Sequence, residues 1–563
     1  MKTVSRILAI ALMLTGLASA QQPPEGIPKL TDNAALQYWF AFYFMYEESK
    51  SAEKPIPNAE SWPKKLSELY PRYVTDPKVF FVVPGDVPKG ILPFQIDQET
   101  HFSYSPQSLR RRTRGGAGAI CVLRTKKDDY YGPVRGRIEG YADGHVEWKP
   151  RKRDEPRPDA ATFGMNNAKQ LLLALFMFQD DQPREKKSRS MSDFIYTDLV
   201  GGTVPASEAR RSEIRDICEK SKRAVTEYLR RGAEMKRCDF GLDYSRGYFM
   251  LLPHLSKARK LARNAIAYGK LLEAERMPLE AARVYCDVMA MGQHVAQDTI
   301  LVSGLVGCAV EKMASGALRQ LLAHEPPAEV CELVLARLSA LPRPYVAFGP
   351  RLSLEAKLIK PMLFATFADG SSVQMSEQEK KEIRRLLKAD DAPLAAEDVE
   401  KTKKRLTAYF EEYVDRMETA AEISTGPYPE SGPALAELCK LAGESSNPLL
   451  KALMPDIHRT IARQAAAQTR LCATQILAAA ALQRARTRRY PKTLDDLKPT
   501  FPKGIPLDPM ADKPFTYRLD VGRPCLESAG PLGKGKEGKD EDYIFSVKRI
   551  LERERKGRRW SGR

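Results

Sequence analysis

Trp62-Pro63-Lys64-Lys65-Leu66-Ser67-Glu68-Leu69-Tyr70-Pro71, closing at Asp76-Pro77, returns near the other end of the chain. There it reads Tyr490-Pro491-Lys492-Thr493-Leu494-Asp495-Asp496-Leu497-Lys498-Pro499, closing at Asp508-Pro509. Each copy has an aromatic-Pro-Lys start, two leucines three residues apart and a proline two residues after the second. This order describes one short helical turn feeding an extended segment, because proline ends a helix and biases its predecessor toward extended backbone. Strand-like sequence follows both copies. The chain is expected to carry two related helix-to-strand modules around a long helical middle, and no residue set in it names an activity.

Residues 1–20 have a short basic start (Lys2, Arg6), an apolar run Ile7-Leu8-Ala9-Ile10-Ala11-Leu12-Met13-Leu14, and Ala18-Ser19-Ala20. That is the pattern of a secretory signal peptide cleaved before Gln21. The run is shorter than the roughly 18 residues a membrane span needs, and no Cys follows the small residues, against a lipoprotein. Downstream, 300–310 and 471–482 are the most apolar stretches, too short to span a bilayer, and read as buried helix. The expectation is an exported protein, periplasmic or extracellular, that is not an integral membrane protein after signal cleavage.

With 43% hydrophobic residues the chain can build a sizeable core. Its net charge of +18 concentrates in Arg110-Arg111-Arg112-Thr113-Arg114, in 186–189 and in the tail 548–563. Inside a cell such clusters would suggest nucleic acid. In an exported chain they read first as a solvated basic surface, and as a binding surface they point to an acidic envelope protein, an anionic envelope polymer or lipid headgroups. Nine cysteines stand singly at 121, 218, 238, 286, 308, 331, 439, 472 and 525. Cys286, Cys308 and Cys472 fall in apolar runs, where a thiol behaves as a small hydrophobe. The odd count leaves at least one thiol outside any internal pairing, and Cys218 with Cys238 is the first pair to test.

Residues 33–46 read as an aromatic-rich helix (Leu36, Trp39, Phe40, Tyr43, Phe44) capped by Thr31 or Asp32. A strand is expected at 79–83, another at 119–123, and a hairpin over 137–148 turning at Asp143-Gly144. A charged, Pro-containing linker follows at 149–162. Helical patterning then runs from about 163 to 483, broken at Pro326-Pro327, Pro342–Pro344 and Pro427–Pro433. Within it, Tyr268, Ala281 and Tyr285 sit as in a tetratricopeptide hairpin, but no second copy appears near a 34-residue period, so a helical bundle is the safer expectation. The last long helix, 459–483, places Ile461, Ala465, Cys472, Ile476, Ala479 and Leu482 in one apolar stripe, with Gln468 among them.

The end of the chain resembles the soluble part of the major pseudopilins of bacterial type II secretion. The likeness covers about 100 residues and rests on the long helix, Tyr490-Pro491-Lys492, Leu494, Leu497, Ile505-Pro506-Leu507-Asp508-Pro509, Lys513-Pro514-Phe515-Thr516-Tyr517, Ser528-Ala529-Gly530-Pro531 and Asp540-Glu541-Asp542. Residues 62–148 resemble a degenerate second version, of the prepilin-like type that ends in Asp-Gly-His, here Asp143-Gly144-His145. Cys238-Asp239-Phe240-Gly241 and Leu251-Leu252-Pro253-His254-Leu255 resemble a group of large exported bacterial proteins of unknown function. The chain departs from true pseudopilins in having a conventional signal in place of a prepilin leader and its membrane helix.

The resemblance implies an α+β fold, predominantly α, with a helical central domain flanked by two small pseudopilin-like α/β-meander modules. The expected order is signal peptide 1–20, N-terminal helix and mixed module 31–148, linker 149–162, helical domain 163–455, long helix and C-terminal module 456–547, and basic tail 548–563. The expected function is that of an exported, non-enzymatic structural or interaction protein of the cell envelope, accessory to a type II secretion or surface system. The alternative is an envelope-polymer hydrolase with its site between the helical domain and a module. No catalytic or cofactor-binding residues are assigned, and no cofactor is expected. His-Glu-x-x-His, Gly-x-Ser-x-Gly and P-loop motifs are all absent from the sequence, and the six histidines at 101, 145, 254, 294, 324 and 458 include no pair at metal-binding helical spacing.

The family resembled binds Ca²⁺ in its C-terminal loop, which makes Asp540 and Asp542 the weak metal candidates. Leu532 stands where that pattern expects Asp, and Lys534, Lys536 and Lys539 crowd the loop. A hard cation wants six to eight oxygens, and each added cation at a few Å repels it by on the order of 1–4 kcal/mol. Melting the purified protein in millimolar Ca²⁺ and then in chelator is expected to give one midpoint. A rise of several degrees with Ca²⁺, abolished by Asp542→Asn, would show that the site works.

Overall fold

The computed structural model describes residues 33–47, 62–70, 73–74, 77–82, 93–110, 120–131, 133–142, 146–152, 158, 161–181, 215, 218–219, 221–242, 250, 252–360, 399–454, 456–528 and 543–552. The expected signal peptide, the Asp143-Gly144-His145 turn, the basic runs at 111–114 and 186–189, the loop 530–542 and the tail beyond 552 lie outside them. The fold is α+β and predominantly α, with, among the described residues, two antiparallel meanders of four and three strands. By contact, described residues within 33–181 and 223–257 form one compact unit, and those within 215–222 and 258–552 form a second.

In the first unit, helix α1 (Ala34–Glu47) is followed by the first copy of the repeated phrase and then by strands β1 (Phe102–Tyr104), β2 (Cys121–Thr125), β3 (Gly136–Tyr141) and β4 (Val146–Pro150). These pair in the order β1-β2-β3-β4. Helix α2 (Ala161–Asp181) packs on β3 and β4, and α1 packs on α2 and on the helical stretch 224–234. Gly164 of α2 touches the sheet closely enough that a Cβ there would stand 2.4 Å from the Tyr131 hydroxyl and 2.7 Å from Ile138 Cδ1. Val79 and Phe80, expected to open the strand 79–83, lie instead in the 3₁₀ turn Pro77–Phe80 and are buried with Phe81 and Val82. A short apolar run states burial and leaves the backbone open. Pro77 at the first position favours the turn, and the buried Asn167 side chain of α2 fixes it by donating to the carbonyls of Lys78 (3.0 Å) and Phe81 (2.7 Å).

In the second unit, helices α3 (Pro253–Ala274), α4 (Pro278–Val295), α5 (Leu301–Ala323), α6 (Ala328–Ser339), α7 (Gly349–Leu358), α8 (Val399–Ile423), α9 (Tyr428–Glu444) and α10 (Pro448–Leu453) precede the 31-residue α11 (Ile457–Thr487). The first five residues of α3, 253–257, fall in the other unit. Strands β5 (Thr516–Asp520), β6 (Arg523–Glu527) and β7 (Ile544–Ser546) follow the second phrase. Helices α5, α6 and α9 and strand β6 all pack on α11. As a result α11 is buried continuously from Ala465 to Leu482, on all sides and not along one stripe. Its run of alanines lets neighbours approach from every direction, and a helix apolar all round belongs in a core. Helix α5 is long and apolar enough to cross a membrane by length and composition, and here it lies against α4 and α11.

Both phrases fold alike. Each makes a 3₁₀ turn, Leu66–Leu69 and Leu494–Thr500. In the first, Glu68 Oε1 accepts the backbone N–H groups of Lys64 (2.9 Å) and Lys65 (3.0 Å). In the second, Asp496 Oδ2 accepts those of Lys492 (2.7 Å) and Thr493 (3.0 Å), and these amides hold its carboxyl below the usual range. In each module the tyrosine of a Phe-Ser/Thr-Tyr triplet, on the first strand after the turn, latches back to the phrase. The Tyr104 hydroxyl donates to the Pro63 carbonyl at 2.9 Å and the Tyr517 hydroxyl to the Pro491 carbonyl at 2.8 Å. Tyr104 pairs with Leu123 and Tyr517 with Leu526 across the strands, both leucines fully buried. Phe102 and Phe515, two residues before the tyrosines, are buried too. Leu66, Leu69 and Leu497 are buried beneath their turns; Leu494 is half-buried.

Leu69→Asp or Leu497→Asp puts an unpaired charge in the core and should cost several kcal/mol. Tyr104→Phe and Tyr517→Phe each remove one hydrogen bond and should cost about 1 kcal/mol. Denaturant unfolding measures both; a Leu497→Asp protein as stable as the parent would refute the buried-turn geometry.

Candidate functional site

The stretches Cys238-Asp239-Phe240-Gly241 and Leu252-Pro253-His254-Leu255 meet in the first unit. Asn33 caps α1: its Oδ1 accepts the N–H of Ala35 (3.0 Å) and of Asp239 (2.9 Å), and its Nδ2 donates to the Asp239 carbonyl (2.7 Å). The caps expected at Thr31 or Asp32 lie outside the described residues, and Asn33 is a strong capping type in its own right. Asp239 Oδ1 accepts the N–H of Gly241, which takes a φ of 67° suited to glycine. This turn presents Phe240, fully buried, to three aromatic rings. Phe240 stacks on His254 at 4.2 Å and packs near Tyr38 and Trp39 of α1 at 6.4 and 6.5 Å. His254 thus serves as a packed ring in an aromatic cluster.

In the second unit the Asp508 of Leu507-Asp508-Pro509 is a fully buried carboxylate that joins three elements. Oδ1 accepts the Thr469 hydroxyl of α11 (3.1 Å) and the Met510 N–H (3.1 Å), and Oδ2 accepts the Ser528 hydroxyl beyond β6 (2.6 Å). Its backbone N–H donates to the Lys513 carbonyl at 2.8 Å, closing the loop before β5. Thr469, Asp508 and Ser528 together bind helix, loop and sheet into one module.

Further along α11, Arg470 Nε and Nη2 donate to Glu311 Oε2 of α5 at 3.0 and 2.6 Å, both side chains buried. Glu311 Oε1 is buried with no hydrogen-bond partner among the described residues. Three glutamines and a thiol on α11 accept from the segment after α6. Gln464 takes the Phe348 N–H (2.8 Å), Gln468 the Tyr345 N–H (2.9 Å), and Cys472 and Gln475 the Arg343 guanidinium. Gln468 therefore sits in an otherwise apolar helix because a backbone amide needs it. None of these partnerships was read from the sequence. The Glu311–Arg470 pair left one signal: the apolar runs 300–310 and 471–482 each end one residue from the charge that pairs with the other.

No disulfide joins any of the nine cysteines, all of which are described, so the Cys218–Cys238 pairing does not form. Eight are buried and Cys121 is half-buried. Burial pushes the thiols of Cys218, Cys286, Cys308 and Cys331 up to about 12, which keeps them protonated and poorly nucleophilic at neutral pH. His101 stacks on Tyr130 at 4.4 Å and accepts the Val82 N–H through Nδ1 at 3.2 Å; His145 lies outside the described residues. Asp540 and Asp542, the weak metal candidates, also lie outside them. Among the described residues, no three His, Cys, Asp or Glu side chains gather as a metal site. Compared with protein-family models, curated proteins and solved structures, the chain matches none.

A buried pair is costly to break and cheap to replace whole. Glu311→Met should destabilise the second unit by about 3–5 kcal/mol, whereas Glu311→Met with Arg470→Met should be near neutral or more stable. Chemical unfolding of the three proteins decides it: equal losses in the single and double variants would mean that the two charges do not act as a pair.

Proposed function

We propose that this chain is an exported, non-enzymatic structural or interaction protein of the bacterial cell envelope, accessory to a type II secretion or surface system. The observation that carries the reading is the twice-built turn with its tyrosine latch, Tyr104 to Pro63 and Tyr517 to Pro491, placed on the residues that resemble pseudopilin soluble modules. The use of buried ionisable groups supports it. Asp508, Glu311 and Arg470 tie the chain's own elements together through hydrogen bonds. The signal-like residues 1–20 supply the route out of the cytoplasm, and the net charge of +18 favours an anionic or acidic partner in the envelope.

Two measurements test this reading. Fused to an alkaline phosphatase that works only after export, residues 1–20 should give active enzyme, and the recovered protein should begin at Gln21. Cross-linking followed by purification from envelope fractions should return a defined envelope partner. Retention in the cytoplasm with residues 1–20 intact would overturn the export reading, and turnover of an envelope polymer by the purified protein would overturn the non-enzymatic one.

A further inference from the structure

In the sheet order β5-β6-β7, β5 lies at an edge. Asp520 pairs with Arg523 across a two-residue loop, Arg518 stands opposite Cys525, and Leu519 stands opposite Pro524. The pair that closes such a loop exchanges both backbone hydrogen bonds, and bonded and non-bonded pairs then alternate along the strands. Asp520, Arg518 and Thr516 therefore bond to β6, whereas the N–H and C=O groups of Leu519 and Tyr517 point outward. Pro524 agrees with this register, because the residue opposite Leu519 is not asked for an N–H. In the first module the matching strand β1 has three residues, and Thr100 Oγ1 takes the Phe102 N–H at 3.2 Å. The edge of β5 is longer, and among the described residues no strand covers it.

The side chains of this edge are complementary to themselves. Arg518 and Asp520, of opposite charge, share one face of β5, and Tyr517 and Leu519 share the other. A second β5 laid antiparallel along the edge, with the two-fold axis at Leu519, sets each Arg518 opposite the other copy's Asp520. The two Leu519 residues then form a hydrogen-bonded pair through their outward groups, and the two Arg518–Asp520 pairs are of the closer, non-bonded kind. Centred one residue earlier, the same strands would oppose Arg518 to Arg518, which like charge disfavours. The alternation of charge thus selects one register. In that register Leu519, 39% exposed, meets its copy, and Val521, 79% exposed and strained at a φ of 51°, comes opposite Tyr517. The present partners of the two charges, Glu527 for Arg518 and Lys548 for Asp520, are partly exposed, so those pairs hold their ends weakly.

We propose that the protein forms a two-fold dimer by pairing β5 with the β5 of a second copy, which joins two three-stranded sheets into one. A two-fold contact uses the same patch on both copies and must be self-complementary, as this strand is. Main-chain bonds added at an open edge bind the copies, and the charge pairs fix the register. The inference goes beyond the envelope reading and does not depend on it, because dimerisation is measured on purified protein whatever its route or partner in the cell.

Sedimentation velocity of the full-length protein over a dilution series should show a reversible monomer–dimer equilibrium. Arg518→Asp and Asp520→Arg each put like charges across the contact and should weaken the dimer on the order of tenfold. The two combined restore opposite charges and should return the parent's affinity. Leu519→Pro removes an N–H that the β5–β6 pairing does not use, and proline is tolerated on such an edge; the melting midpoint should hold while the dimer is lost. A monomer at every concentration would overturn the proposal. So would a dimer left intact by both charge variants and by Leu519→Pro, which would put the contact elsewhere on the surface. A double charge variant with the parent's circular dichroism and midpoint that stays monomeric would overturn it too.

Discussion

The second unit depends on burying α11 from every side. A helix enclosed over 465–482 has no solvent face for its polar side chains, so each must find a partner inside the protein or destabilise it. Arg470 takes Glu311, Thr469 takes Asp508, and Gln468 takes the Tyr345 backbone, with half-buried Gln464 just before the enclosed stretch taking that of Phe348. Those partners come from a different helix, from the loop before β5 and from the segment after α6. One burial constraint therefore sets the places of three otherwise separate parts of the chain. Asp508 extends it to the sheet through Ser528.

The module that follows α11 and the one that follows α1 solve the same local problem in the same way. A short 3₁₀ turn exposes backbone N–H groups, and a carboxylate three or four residues on accepts them. A tyrosine on the next strand then returns to the proline carbonyl, fixing the distance between turn and sheet. Glu68 and Asp496 differ in length by one methylene, yet they reach equivalent amides. The constraint thus lies in the backbone of the turn, and the side chain adapts to it.

The repeated phrase and the helical middle were legible because proline position and leucine spacing act locally. The tyrosine latch was not, although Phe102-Ser103-Tyr104 and Phe515-Thr516-Tyr517 are plainly alike once paired, because the intervening loops differ in length and hide the correspondence. Residues 79–83 misled for another reason: an apolar run reports burial, and Asn167, some 85 residues away, helps choose the turn. The single stripe expected on α11 failed because alanine serves equally well on any side of a helix. Contacts such as Glu311 to Arg470 join residues 159 positions apart, a separation at which spacing carries no signal. Val521, by contrast, shows its oddity only when its φ is known.

Hydrogen exchange followed by peptide across the second unit tests most directly whether α11 is the element on which that unit depends. The amides of 465–482 should exchange only through global unfolding, the slowest in the unit, and Asp508→Ala should speed exchange in α11 and in β5–β7 together. Exchange of 465–482 ahead of α8 or α9, or a response to Asp508→Ala confined to the loop around residue 508, would contradict the account.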